Sequence, residues 1–166
     1  MKRTLRLALF ASLIPTLLPK TAVAKAPTVK ILISGRRLIR PVEIADPQLL
    51  ALSNVWSGQF LDTSKAPETE PPNALSPLEV SFFVKVADHE IRKMYVVCYY
   101  PRARGQGFLY LPGKGAAYWR NVSTILREGR DGKWNYASPE WETLIKLSLS
   151  HKQAKLGPTD SGPLAR

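Results

Sequence analysis

The sequence predicts an α+β fold, a single domain built on a mostly antiparallel sheet of about five to six strands with two short helices. Three observations predict it. Runs rich in Val, Ile, Phe and Tyr recur at residues 28–34, 78–86 and 92–100, with apolar side chains at the period of two that a pleated strand requires. The segments between the strands from residue 87 onward are short and hold the Gly, Pro and Asp of tight turns. Finally, two segments open with an oxygen-bearing residue followed by proline, Asp46-Pro47 and Ser138-Pro139-Glu140, which is how helices begin.

In chain order, Val29, Ile31 and Ile33 share one face of the first strand, and Gly35 ends it with Arg36-Arg37 in the turn. The chain returns over 38–44, but Pro41 has no amide hydrogen, which confines pairing to Val42-Glu43-Ile44 or places the strand at a sheet edge. After Asp46-Pro47, a helix of about two turns carries Leu49, Leu50, Leu52, Ser53 and Trp56, with Gly58 as its stop. Residues 62–77 hold Pro67, Pro71, Pro72 and Pro77 among Glu, Ser and Thr, so they form either a solvated excursion or a loop laid over a site. Val80, Phe82, Val84 and Val86 mark the next strand, and 87–90 turn it back. In the strand over 92–100, Met94, Val96, Cys98 and Tyr100 oppose Tyr95, Val97 and Tyr99, a pattern expected of a central strand covered on both sides. Turns at 102–107, 112–115 and 129–132 then separate short strands at 108–111, 118–126 (Trp119, Val122 and Ile125 inward) and 133–136. In the final helix Trp141, Leu144, Ile145 and Leu147 form the apolar stripe, and the Gly- and Pro-bearing segment 151–166 is expected to be a disordered tail.

The first 24 residues carry an address. Lys2, Arg3 and Arg6 precede an apolar run over 7–18, and Ala22-Val23-Ala24 supplies the small-x-small pattern of a signal-peptidase site. The run is shorter than the roughly 20 residues a membrane span needs. Residues 1–24 are therefore expected to be a signal peptide, 25–150 the domain, and the protein to be exported to the periplasm or the surroundings. A single cysteine, Cys98, leaves no internal disulfide to form, so packing alone must hold the fold. Four of the 24 basic residues lie in the leader against none of the 13 acidic ones, so the remainder has a formal charge of +7. Ten basic residues against four acidic ones fall within 85–133, which concentrates the excess there. A positive surface of that kind attracts polyanions without sequence-specific contacts, though it also serves solubility.

Most catalytic chemistry is missing from the pattern. His89-Glu90-Ile91-Arg92-Lys93 begins like a zinc-protease helix but has Lys93 where the second histidine ligand must stand. Residues 107–114 lack the spacing and the Ser or Thr of a phosphate-binding loop, and no Gly-x-Ser-x-Gly elbow exists. Cys98 with His89 would be a nucleophile pair, but Cys98 shares its strand face with Met94 and Val96 and reads as packing. Asp88 with Glu90 is the nearest carboxylate pair. No catalytic residue, metal ligand or cofactor is assigned. What remains is a set of aromatic and basic residues around two neighbouring turns: Tyr100, Arg102, Arg104, Tyr110, Lys114, Trp119 and Arg120. Arginine and lysine hold carboxylates and phosphates, and aromatic rings stack on sugars or bases.

The chain resembles a family of small, exported, acidobacteria-like bacterial proteins to which no activity is assigned. The matching stretches include Pro41-Val42-Glu43-Ile44, Asp46-Pro47, Asn54-Val55-Trp56-Ser57-Gly58, Glu79-Val80-Ser81-Phe82, Tyr95-Val96-Val97, Gly105-Gln106-Gly107 and Tyr110-Leu111-Pro112-Gly113-Lys114-Gly115, with Trp134 and Trp141. They cover about residues 29–142, which implies one domain and a dispensable tail. Members tend to have a Gly/Pro turn after the first strand, where this chain has Arg36-Arg37. The resemblance carries over no functional residue. The leading expectation is thus a non-enzymatic binding protein whose partner is an anionic polymer (envelope polysaccharide, lipopolysaccharide or extracellular DNA) or an acidic protein. The alternatives are an enzyme on an envelope polymer, with Asp88, His89 and Glu90 as acid-base groups and 62–77 as a lid, and a structural or partner-docking envelope protein.

Overall fold

The computed structural model describes residues 26–68, 76–86, 90–118 and 129–154. Six strands form one open antiparallel sheet: β1 (Thr28–Ser34), β2 (Val42–Ile44), β3 (Leu78–Lys85), β4 (Ile91–Tyr100), β5 (Phe108–Tyr110) and β6 (Trp134–Tyr136). Their order across the sheet is β2-β1-β3-β4-β5-β6. Two helices, α1 (Pro47–Leu52) and α2 (Pro139–Ala154), complete a single α+β domain.

Alternation decides what is buried. Ile31 and Ile33 of β1 pair with Phe82 and Val80 of β3, and Val80 pairs in turn with Val97 of β4, so these side chains share the inner face. Phe60, Phe82, Tyr95, Tyr99 and Trp141 fill the space behind it. Their rings lie 5.2 to 6.4 Å apart in tilted and edge-on arrangements, the geometry that aromatic quadrupoles favour. Alternation puts Phe83 on the opposite face from Phe82, and the register shift beside it leaves Met94 of β4 as the extra, unpaired residue between Tyr95 and Lys93. Ser53 links the layers. Its hydroxyl accepts from Trp141 Nε1 at 2.8 Å, and its carbonyl accepts from Thr28 Oγ1 at 2.7 Å, which joins α1 to α2 and β1.

Asp46 caps α1 as its spacing predicts, accepting from the Leu49 amide at 2.9 Å. The helix then stops at Leu52, well before Gly58, because the Ser53 hydroxyl and amide and the Asn54 side chain all bond local backbone. Helix α2 runs further than expected, through Ala154 and so into the segment read as tail. Residues 151–154 contain no Gly or Pro, and His151 and Lys152 place basic side chains at the negative end of the helix dipole. Leu147 is not on the buried stripe. It follows Trp141 by six positions, which rotates it to the far side of the helix, and it is 51% exposed.

The two sheet edges differ. At β2, Lys152 of α2 donates to the Glu43 carbonyl. At β6, the chain from Leu61 to Glu68 runs antiparallel alongside: Asp62 N donates to Tyr136 O at 2.9 Å, and Glu68 and Trp134 exchange backbone bonds at 2.7 and 3.0 Å. The described part of the proline-rich stretch is therefore docked backbone and not a free excursion. Arg130, 7% exposed, clamps it by donating to the carbonyls of Thr63 and Lys65 while also bonding Asn135 Oδ1. The strand expected at 118–126 lies outside the described residues from 119 onward; Tyr118 itself stands in a turn. No helix among the described residues is long and apolar enough to cross a membrane.

Candidate functional site

The inner and outer faces of β4, β5 and β6 have opposite characters. Pairing Tyr99 with Leu109 and Leu109 with Asn135 puts these three on the inner face, all fully buried. The neighbouring pairs, Tyr100 with Phe108, Phe108 with Tyr136, and Tyr110 with both Cys98 and Trp134, must then stand on the outer face. Five aromatic side chains gather there. Trp134 lies edge-on to Tyr100 at 4.9 Å and tilted against Tyr110 at 4.8 Å, and Phe108 packs on Tyr136 at 4.6 Å. Phe108 is buried by its neighbours; the other four are half-buried. The expectation that β4 is covered on both sides is corrected here, because Met94, Val96, Cys98 and Tyr100 keep partial access to solvent.

Cations stand over these rings. The Arg102 guanidinium lies 5.6 Å from the centre of Phe108, and Lys65 Nζ lies 4.6 Å from the centre of Tyr136. Each ring face carries negative charge density, so such a cation is held while its outer side stays open to an anion. Polar groups ring the same corner. Gln106 donates to Asp62 Oδ2 at 2.8 Å and to the Ala137 carbonyl at 3.0 Å, and Lys65 bonds Gln106 Oε1. The bonds from Gln106 and then Ser64 hold the Asp62 carboxyl below its usual range. Tyr136 donates its hydroxyl to Glu68, whose carboxylate resists its ionisation and pushes the phenol up.

The structure brings Tyr100 and Tyr110 together against Trp134 and sets Arg102 over the neighbouring Phe108 ring. Arg104 is exposed in the turn over 103–105, beyond the same end of β5 as Arg102. Lys114 is exposed in the turn that follows β5, closed by Ala116 N donating to Gly113 O at 2.9 Å, so it lies past the strand's other end. Seven residues, 106–112, separate the two turns, with strand β5 in their middle. Trp119 and Arg120 lie outside the described residues, as do Asp88 and His89. Glu90 is exposed, and Arg92 bonds it at 2.6 Å and lowers its pKa. Cys98 is half-buried on the outer face and not in the core; burial first, and Glu79 second, raise its thiol, so it is a poor nucleophile. Among the described residues no group of three or more His, Cys, Asp or Glu is placed to hold a metal.

Sequence reasoning missed four participants: Trp134, Tyr136, Lys65 and Glu68. Trp134 and Tyr136 sit two apart on a strand and so share a face, a signal that was present. That Lys65 and Glu68 join them follows only from the docking of a segment whose composition reads as loop. The buried carboxylate of Glu142 was missed as well. It accepts from the Tyr99 hydroxyl at 2.8 Å and from Gly107 N at 2.9 and 3.1 Å, and pairs with Lys146 at 2.9 Å. A Cβ on Gly107 would lie 2.6 Å from the Tyr100 carbonyl oxygen and 2.7 Å from Glu142 Oε1, so only glycine fits. Burial, then the Glu142 charge, push the Tyr99 phenol far up. With its acceptors occupied inside the fold, Glu142 ties α2 to Tyr99 of β4 and to Gly107 ahead of β5.

No family model, curated protein or solved structure matches the chain.

Proposed function

We propose that the protein is an exported, non-enzymatic binding protein whose outer β4–β6 face holds an acidic polysaccharide. The observation that carries this reading is the half-exposed array of Tyr100, Trp134 and Tyr110, with Arg102 and Lys65 seated over the adjoining rings. Aromatic faces on a sheet pack against the apolar faces of sugar rings. Guanidinium and ammonium groups beside them bind uronate carboxylates, Arg102 in a bidentate manner. Arg104 and Lys114, past the two ends of β5, extend the positive potential along a chain running over the face. Asp62, Glu68 and Gln106 accept from or donate to sugar hydroxyls. The same carboxylates repel a backbone with a phosphate at every residue, which favours a polymer of sparser charge over DNA. Export rests on the leader and on the resemblance to exported proteins.

The test is titration with polygalacturonate and with neutral dextran at several salt concentrations. Binding to the acidic polymer should weaken with salt in proportion to the charges neutralised. Arg102→Ala with Arg104→Ala should weaken it further, and dextran should bind far more weakly. Salt-insensitive binding, or equal affinity for dextran, would show that charge plays no part.

A further inference from the structure

The turn between β1 and β2 stands apart from everything used so far. Gly35, Arg36, Arg37, Leu38, Ile39, Arg40 and Pro41 place three arginines in five positions with no acidic residue among the seven. All three arginines are exposed, and Ile39 between them is 88% exposed. The other large apolar side chains that are mostly exposed among the described residues differ in kind: Ile91 is 53% exposed and adjoins the Glu90–Arg92 ion pair, and Leu147 is 51% exposed on the side of a helix. Single exposed apolar residues are ordinary. One presented almost whole, at the tip of a turn and among arginines, is not.

The turn is also built to hold that presentation. Leu38 donates its amide to the Gly35 carbonyl at 3.0 Å and packs against the core, which leaves its neighbour Ile39 directed outward. A side chain at position 35 would meet Leu78 Cδ2 at 2.9 Å and the Pro77 carbonyl at 3.0 Å, so glycine seats the turn tightly on β3. Beside it, between the turn and α2, lies an open cleft of about 400 Å³. Leu38, Leu78 and Leu149 give it an apolar lining, and Arg37 and Lys146 stand at its edge. Glu142 already neutralises Lys146, and Glu79, which lines the cleft on the other side of the turn with Arg36, lies 3.9 Å from Lys93. The three arginines therefore carry the field.

We propose that this turn docks the protein on an anionic phospholipid bilayer, with Arg36, Arg37 and Arg40 on lipid phosphates and Ile39 entering the interface. Charge complementarity selects the occupant. Guanidinium groups pair bidentately with phosphate, and an exposed branched aliphatic side chain gains from a surface with an apolar layer directly beneath its anionic headgroups. A soluble polyanion offers the first and not the second. The site is separate from the aromatic face, so either can fail without the other.

Co-sedimentation with phosphatidylcholine vesicles doped with phosphatidylglycerol, and with pure phosphatidylcholine vesicles, tests the proposal on the exported form of the protein. The variants differ from it only in the turn, so any contribution from the termini cancels. Binding to the doped vesicles and not to the pure ones is expected. Replacing Arg36, Arg37 and Arg40 together by Gln should lower the partition coefficient by about a hundredfold, taking roughly one kcal/mol per cation near an anionic surface. Ile39→Ser should lower it about three- to tenfold and leave the salt dependence unchanged. Both variants should melt like the parent and keep its affinity for polygalacturonate. Equal binding to both vesicle types, or a triple variant that sediments like the parent, overturns the proposal. An Ile39→Ser protein that binds unchanged removes insertion from it. Loss of DNA or polygalacturonate binding in the triple variant, with no vesicle binding by the parent, reassigns the turn to soluble polyanions.

Discussion

Tyr99 and Tyr100 are neighbours in sequence and opposites in circumstance. Tyr99 is sealed against Trp141, with its hydroxyl given to a buried carboxylate. Tyr100 stands half in solvent against Trp134. The same division runs through β5 and β6, where Leu109 and Asn135 are buried and Tyr110, Trp134 and Tyr136 are not. The inner face spends its aromatic area on holding α2 to the sheet. The outer face keeps comparable area accessible and sets cations over it. Residue type alone does not separate the two roles; position in a strand with a period of two does.

The comparison predicts that inner substitutions change stability and outer ones change binding. The largest effect is expected at Trp141, which is fully buried and donates to Ser53. Trp141→Ala should cost about 3–5 kcal/mol in denaturant unfolding, while the fraction that stays folded binds polymer as the parent does. Glu142→Gln comes next, because it weakens charge-assisted bonds to Gly107 and Tyr99 and removes the pairing with Lys146. A loss of about 1.5–3 kcal/mol is expected from the same unfolding measurement. If either substitution abolished binding at unchanged stability, the division of labour would be wrong.

A smaller effect comes from pH, at the boundary between the faces. The folded-state pKa of Asp62 is depressed, chiefly by the bond from Gln106, so its stabilising contribution is complete above the ordinary carboxylate value near 3.8. It is lost as pH falls through the lower folded value. Hydrogen exchange of the Glu68 and Trp134 amides, which join the docked segment to β6, should quicken over that acid range. Asp62→Asn should remove that pH step. Exchange that stays independent of pH, after correction for its intrinsic rate, would mean that Asp62 does not secure the segment.

Much of the fold was legible because its signals are local. The period of two in β1, β3 and β4, the Asp46 cap and the Pro41 edge all depend on residues a few positions apart. The candidate site was legible only in part, for a physical reason. Tyr100, Tyr110 and Arg102 belong to neighbouring strands joined by one turn, so sequence proximity found them. Lys65 and Glu68 arrive through backbone bonds to a strand some 65 residues away, paired to Trp134 and Tyr136 without any pattern of their own. The burial of Glu142 was illegible for the same reason, since it depends on Gly107 approaching helix α2 across the hairpin.

The most direct test compares Trp134→Ala with the parent for affinity to polygalacturonate and for melting temperature. Trp134 joins Tyr100 to Tyr110 on the outer face and touches nothing in the inner aromatic cluster. The predicted result is an affinity lower by about tenfold or more, as expected for loss of one stacking platform, with stability reduced by no more than about 1–3 kcal/mol. Unchanged affinity in a folded Trp134→Ala protein would contradict the assignment of the outer aromatic face to binding.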